Sequence, residues 1–136
     1  MTMPVRGAVI HTDGGARGNP GPAGIGAVIV AGGKTYRFKR FIGHASNNQA
    51  EYQAVIMAMT EARKLALDEV EFLLDSELVV RQLNQEYKIK DAELGRLFVK
   101  IWNLSQEFRK ISYRHIPREQ NRDADRLVNE AVDEAV

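Results

Sequence analysis

Cysteine is absent from the 136-residue sequence, which removes disulfides, zinc–thiolate centres and thiol nucleophiles together. Histidine is scarce: only His11, His44 and His115 are present, so a metal site would have to be built mainly from oxygen. No apolar run approaches the ~20 residues of a membrane-crossing helix. The opening MTMPVRGAVI lacks the apolar core of a secretory signal. The expectation is a cytoplasmic protein with no membrane partner. An excess of one charge is missing too: 19 Lys and Arg stand against 18 Asp and Glu. Any polyanion must therefore be met by local patches rather than by the field of the whole chain. Repeats, low-complexity segments and linkers are also lacking. Residues 1–136 are expected to form a single domain, long enough to bury a core without staples.

What is present falls into two halves. The first reads as strands: an apolar run from Val5 to Thr12, then AGIGAVIVAG, then the alternating GGKTYRFKRFIG, joined to its predecessor through a Gly32–Gly33 hairpin turn. The period then changes. SNNQAEYQAVIMAMTEARKLAL sets Ala50, Ala54, Met57, Ala58 and Leu65 at helical spacing, with Ser46 and Gln49 as a capping box. VEFLLD is a short buried strand, SELVVRQLNQ a short helix and AELGRLFVKIWNLSQEF a longer amphipathic one. ISYRHIP is a final strand stopped by Pro117, and RDADRLVNEAVDEAV a closing helix. The order βββαβααβα predicts an α/β fold, a mixed sheet flanked by helices.

The stretch HTDGGARGNPGP (11–22) invites two readings. Asp-Gly and Asn-Pro-Gly are strong turn signals, yet the aspartate also ends an apolar run, where it could be presented to a ligand. Other acids hold similar places: Glu51 in the first turns of the long helix, Asp75 after the fourth strand, and Asp123 or Asp125 at the start of the last helix. Each alone has a structural explanation as a helix cap or a dipole partner. Together they do more. Strands one and four can lie side by side and parallel, which sets Asp13 beside Asp75. Carboxylates so close repel unless a cation neutralises them. An all-carboxylate set suits Mg²⁺ or Mn²⁺ and phosphoryl transfer.

TDGGARGNPGPAGIG (12–26), SNNQAEYQAV (46–55), LLDSELVV (73–80) and PREQNRDADRLVNEA (117–131) together resemble, in order and spacing, type 1 ribonuclease H. The resemblance runs from about Val5 to Ala131. It implies a ribonuclease H-like, five-stranded mixed sheet flanked by helices. It also implies an endoribonuclease that hydrolyses the RNA strand of RNA–DNA hybrids by a two-metal-ion mechanism, with two Mg²⁺ or Mn²⁺ ions, leaving 5′-phosphate and 3′-hydroxyl ends. On this resemblance Asp13, Glu51, Asp75 and Asp125 are the catalytic metal ligands. Asp125 is preferred to Asp123 because Arg126–Leu127 follows it as in the family. Gly14, Gly15, Asn19, Ser46, Asn47, Asn48, Ser76, Arg118 and Arg122 are the expected substrate contacts, with Gly14, Gly15 and Gly18 letting the RNA backbone come close. The implied partner is an RNA–DNA hybrid, with double-stranded RNA as a further candidate, and the implied state is a monomer.

The sequence departs from the family pattern in three ways. Asp75-Ser76 is followed by Glu77 where the family often has glutamine. NQEYKIKDAELGRL leaves no room for the basic protrusion of many members, and no separate hybrid-binding domain is expected within these residues. The loop PREQNRDA lacks the family's histidine, and His115 lies on the strand before it. Other uses of such motifs fit less well. Actin-like ATPases need two such domains. Exonucleases of this fold prefer two acids two residues apart on strand one, and a dinucleotide fingerprint needs a helix after its glycines. A non-catalytic module binding hybrid or double-stranded RNA stays open, and a cleavage assay separates it.

Overall fold

The computed structural model describes residues 6–136, so the expected strand start at Val5 lies outside the described residues. The elements are β1 (Gly7–Ala16), β2 (Gly21–Ala31), β3 (Lys34–Ala45), α1 (Asn47–Lys64), β4 (Glu69–Leu74), α2 (Glu77–Leu83), α3 (Ala92–Ser105), β5 (Lys110–His115) and α4 (Arg122–Ala135). A short 3₁₀ turn over Arg118–Gln120 precedes α4. The sheet runs β3-β2-β1-β4-β5, as the element order predicts. Gly32 and Gly33, at φ 57° and 78°, make the β2–β3 turn in a region that side-chain-bearing residues avoid. No helix among the described residues is long and apolar enough to cross a membrane.

One boundary differs from expectation in a way that matters. β1 does not end at Thr12. It continues through Asp13 to Ala16, paired antiparallel with β2 as far as Ala16↔Ala23. The chain reverses only at Arg17–Pro20, where the Arg17 N–H donates to the Pro22 carbonyl. Gly14 and Gly15 are therefore strand residues, while Gly18 lies in the reversal at φ 80°. The parallel β1–β4 ladder stops earlier, at His11↔Leu73. Asp13 thus sits where one neighbour strand has left and the other has not. The same register carried two residues further would set Asp13 opposite Asp75.

The core lies between the sheet and α1, which is itself covered by α3. Ile10, Ile29, Ala54, Val55, Ala58, Met59, Phe72 and Leu74 are fully buried there. α1 starts on the expected capping box: the Gln49 N–H donates to Ser46 Oγ, and the Ser46 N–H donates to Gln49 Oε1. Within this layer the Tyr52 hydroxyl donates to Gln82 Oε1 at 2.6 Å and ties α1 to α2. The opposite face of the sheet receives α4, whose Ala124, Leu127, Val128, Ala131 and Val132 point inward. That approach depends on bare backbone. A Cβ at Gly26 would fall 2.7 Å from the Ala124 carbonyl oxygen and 2.8 Å from Leu127 Cβ, and one at Gly24 2.7 Å from the Val128 carbonyl oxygen.

Gly26→Ala is therefore expected to lift α4 from β2, with an overpacking cost of about 1–3 kcal/mol. Urea denaturation should show a lower midpoint with an unchanged slope.

Candidate active site

The strand ends and helix starts described above converge on one cleft of about 420 Å³, which contains Asp13, Glu51, Asp75 and Asp125. Glu51 arrives there because α1 packs directly on β1. A Cβ at Gly14 would lie 2.3 Å from the Ala50 carbonyl carbon, so only glycine permits this approach. The smallness of Gly14 therefore serves the approach of the helix. The Gly14 N–H then donates to Glu51 Oε1 at 2.9 Å. Asp75 follows β4, and Ser76 caps α2 by accepting the Val79 N–H on its Oγ. Asp125 stands on the first turn of α4.

Asp13, Glu51 and Asp75 each bring a carboxylate oxygen to within 4.8 Å of the others. Asp13 and Glu51 are only 7% and 6% exposed, so water screens their charges poorly. Burial raises the Asp13 carboxyl well above its ordinary range, and Glu51, Asp75 and Asp125 raise it further. Burial also raises Glu51, against the lowering effects of its contacts with Asp13 and the Gly14 N–H and of the nearby Arg118. Glu51 Oε2 is buried with no partner. A cluster that holds negative charge this unwillingly, with an unused acceptor and only oxygen donors, fits a hard divalent cation.

The expected contacts divide. Gly14, Gly15, Asn47, Asn48, Ser76 and Arg118 line the cleft. Asn19, Ser46 and Arg122 do not. Asn19 Oδ1 accepts the Asn47 N–H at 3.0 Å and Ser46 is the α1 cap, so both shape the rim from behind. Asn47 is also committed in part, its Oδ1 accepting the Ala16 N–H at 2.8 Å. Asp123 is engaged elsewhere, bonded to Arg37 and Arg126 and held below the usual carboxylate range by them. Asp125 lines the cleft and Asp123 does not. Arg17, paired with Asp133, and Asn129 also line the cleft, although neither is among the expected contacts. His115 is exposed at the end of β5, in a different depression shared with Glu77, Arg81 and Glu86.

Strand-end carboxylates massed under a helix on a mixed sheet are a set that could hold a metal ion, as the acids of metal-dependent nucleases do. The family profile described as "Reverse transcriptase-like" matches residues 11–131. The chain is 46% identical to the bifunctional protein Rv2228c of Mycobacterium tuberculosis across 93% of its own length, but spans only 36% of that relative. It is 42% identical to ribonuclease HI of Halobacterium salinarum, covering 99% of this chain and 70% of the relative. The solved structure of LC11-RNase H1 in complex with an RNA/DNA hybrid superposes with a TM-score of 0.89 and 47% identity, covering 94% of this chain and 98% of that one. The chain belongs to the ribonuclease H family, in its type 1 form.

The charge strain in the cleft has a measurable sign. In the folded chain Asp13 keeps its proton over a range where the unfolded chain has lost it. Its contribution to stability is therefore full below the ordinary value of 3.8 and is lost as pH rises toward the raised folded value. In metal-free buffer, Asp13→Asn should melt above the parent chain, by a margin that widens as pH rises from about 4 toward 8. Differential scanning calorimetry in chelator across that range checks it, and a margin that shrinks with pH would reverse the assignment.

Proposed function

We propose that residues 1–136 form one catalytic domain, a monomeric endoribonuclease that hydrolyses the RNA strand of RNA–DNA hybrids to 5′-phosphate and 3′-hydroxyl ends. The observation that carries this is the trio of carboxylates within 4.8 Å of one another at the open end of the β1–β4 pair. The hybrid bound by the similar LC11-RNase H1 supports the substrate class. Asp13, Glu51, Asp75 and Asp125 would hold two Mg²⁺ or Mn²⁺ ions, whose charge stabilises the attacking and leaving oxygens of an in-line displacement at phosphorus.

The rest of the cleft supplies recognition. Asn47 and Asn48 open α1 at the rim, and short amides there suit ribose hydroxyls in the shallow groove of a hybrid, the groups that mark RNA. Arg118 places positive charge beside Glu51 and toward the phosphate path. Other cations are less free: Arg17, Arg37 and Lys39 are paired with Asp133, Asp123 and the Glu130/Glu134 pair. No histidine lines the cleft, so the departing 3′-oxygen takes its proton from water.

The deciding experiment incubates an end-labelled hybrid, duplex RNA and duplex DNA with the protein and Mg²⁺ or Mn²⁺. Hybrid cleavage at internal RNA positions is expected, and Asp75→Asn should lower it by at least about a hundredfold while binding persists. Hybrid binding without cleavage by the parent chain would leave a non-catalytic module. His115→Ala should change turnover by only a few fold, short of the roughly hundredfold loss of a proton-transfer group. Rates measured from pH 6 to 9 test it, and loss of a limb of the pH profile would place His115 in the mechanism.

A further inference from the structure

Asn121, which precedes α4, is 1% exposed. It occupies the N-cap position of that helix, yet its side chain makes no capping bond. Its Nδ2 instead donates to the Thr12 carbonyl at 2.9 Å and to Asp75 Oδ2 at 3.1 Å. The orientation of the amide follows from the chemistry. Both partners are pure acceptors, so only the NH₂ end can face them, and a flipped amide would set three acceptor oxygens together. Oδ1 therefore points the other way, buried with no partner. The Asn121 backbone carbonyl accepts the Asp125 N–H at 3.1 Å.

One residue is thus bonded to the strand segment just before Asp13, to the carboxylate of Asp75 and to the backbone of Asp125. A helix-opening residue needs none of the first two bonds, and a bond to the neighbouring strand alone would not reach Asp75. We propose that Asn121 is a positioning residue of this site. It binds one oxygen of Asp75 so that the other faces the cleft, and it fixes the spacing of the Asp13, Asp75 and Asp125 carriers to that needed for a divalent cation. The assignment rests on the proposed reading of the cleft as a cation site.

The test begins without nucleic acid. Mn²⁺ binding by the parent chain and by Asn121→Ala is measured by titration calorimetry, and the dissociation constant should rise by about 10–100-fold in the variant, as for other residues that orient a ligand. In hybrid cleavage, the half-saturating Mn²⁺ concentration should rise in step while KM for the hybrid stays within about twofold. Excess Mn²⁺ should restore most of kcat to Asn121→Ala but not to Asp75→Asn. Because the variant also loses its bond to Thr12, a second measurement needs no substitution. The side-chain amide protons of Asn121 in the parent chain should shift on Mg²⁺ titration with the constant that calorimetry gives. A variant that only melts lower, with parental Mn²⁺ affinity, would make Asn121 a structural strut and overturn the proposal, as would an amide unmoved by Mg²⁺. Cation binding by a parent chain that leaves hybrids intact would sink the hydrolytic reading while leaving this test in force.

Discussion

Mutual repulsion among buried carboxylates is the constraint around which the chain is built. Asp13 and Glu51 are almost out of water and Asp75 stands beside them. Such an arrangement opposes folding when no cation is bound. It persists because each acid is carried by a segment whose position is decided elsewhere. β1 and β4 are fixed by their parallel ladder, and Ile10, Phe72 and Leu74 are fully buried in the core. α1 is fixed by a core face that includes Ala54, Val55 and Ala58, and α4 by an apolar stripe seated on Gly24 and Gly26. Hydrophobic burial far from the cleft thus sustains a local arrangement that electrostatics alone would scatter.

The same logic explains the placement of the remaining charge. α4 carries Asp123, Glu130, Asp133 and Glu134 on its exposed side, and these meet Arg37, Lys39 and Arg17 on the β1–β3 side of the molecule. These are surface pairs and contribute little each to stability. Their larger effect is on the field: they offset cations that would otherwise draw any polyanion to the sheet. With a net charge of only +1, the field of the whole chain offers a polyanion little attraction, and Arg118 is a cation that lines the cleft itself.

Much of this was legible in the sequence because it is encoded locally. The capping box at Ser46 and Gln49, the Gly32–Gly33 turn and the change from a period of two to one of 3.6 are each written within a few residues. The adjacency of Asp13 and Asp75 followed from connection rules alone. What escaped depends on partners distant in sequence. β1 outruns its apolar stretch because β2 continues to pair with it, and no composition signal within TDGGA shows that. The role of Gly14 is set by Ala50 and Glu51, which lie on another element. Asn121 drew no reading of its own, since its acceptors on Thr12 and Asp75 are remote in the chain. Its i, i+4 spacing to Asp125 was the one local trace. Asn19 and Ser46 match the family pattern in sequence, but their bonds serve the backbone of the rim.

On the proposed function the cleft must satisfy two opposite demands, since cations need concentrated negative charge and a phosphodiester is repelled by it. Backbone dipoles supply the difference. α1 begins at Asn47 on the rim, and α4 presents Asp125 from its first turn. Helix N-termini carry partial positive charge. They temper the repulsion among the acids alongside Arg118, which also lowers Glu51. The same ends favour an incoming anionic backbone. α1 carries no acid in its first turn, where one would ordinarily stabilise the helix. Its N-terminal field is therefore not quenched locally and extends into the cleft, where Glu51, at the next turn, uses it from inside.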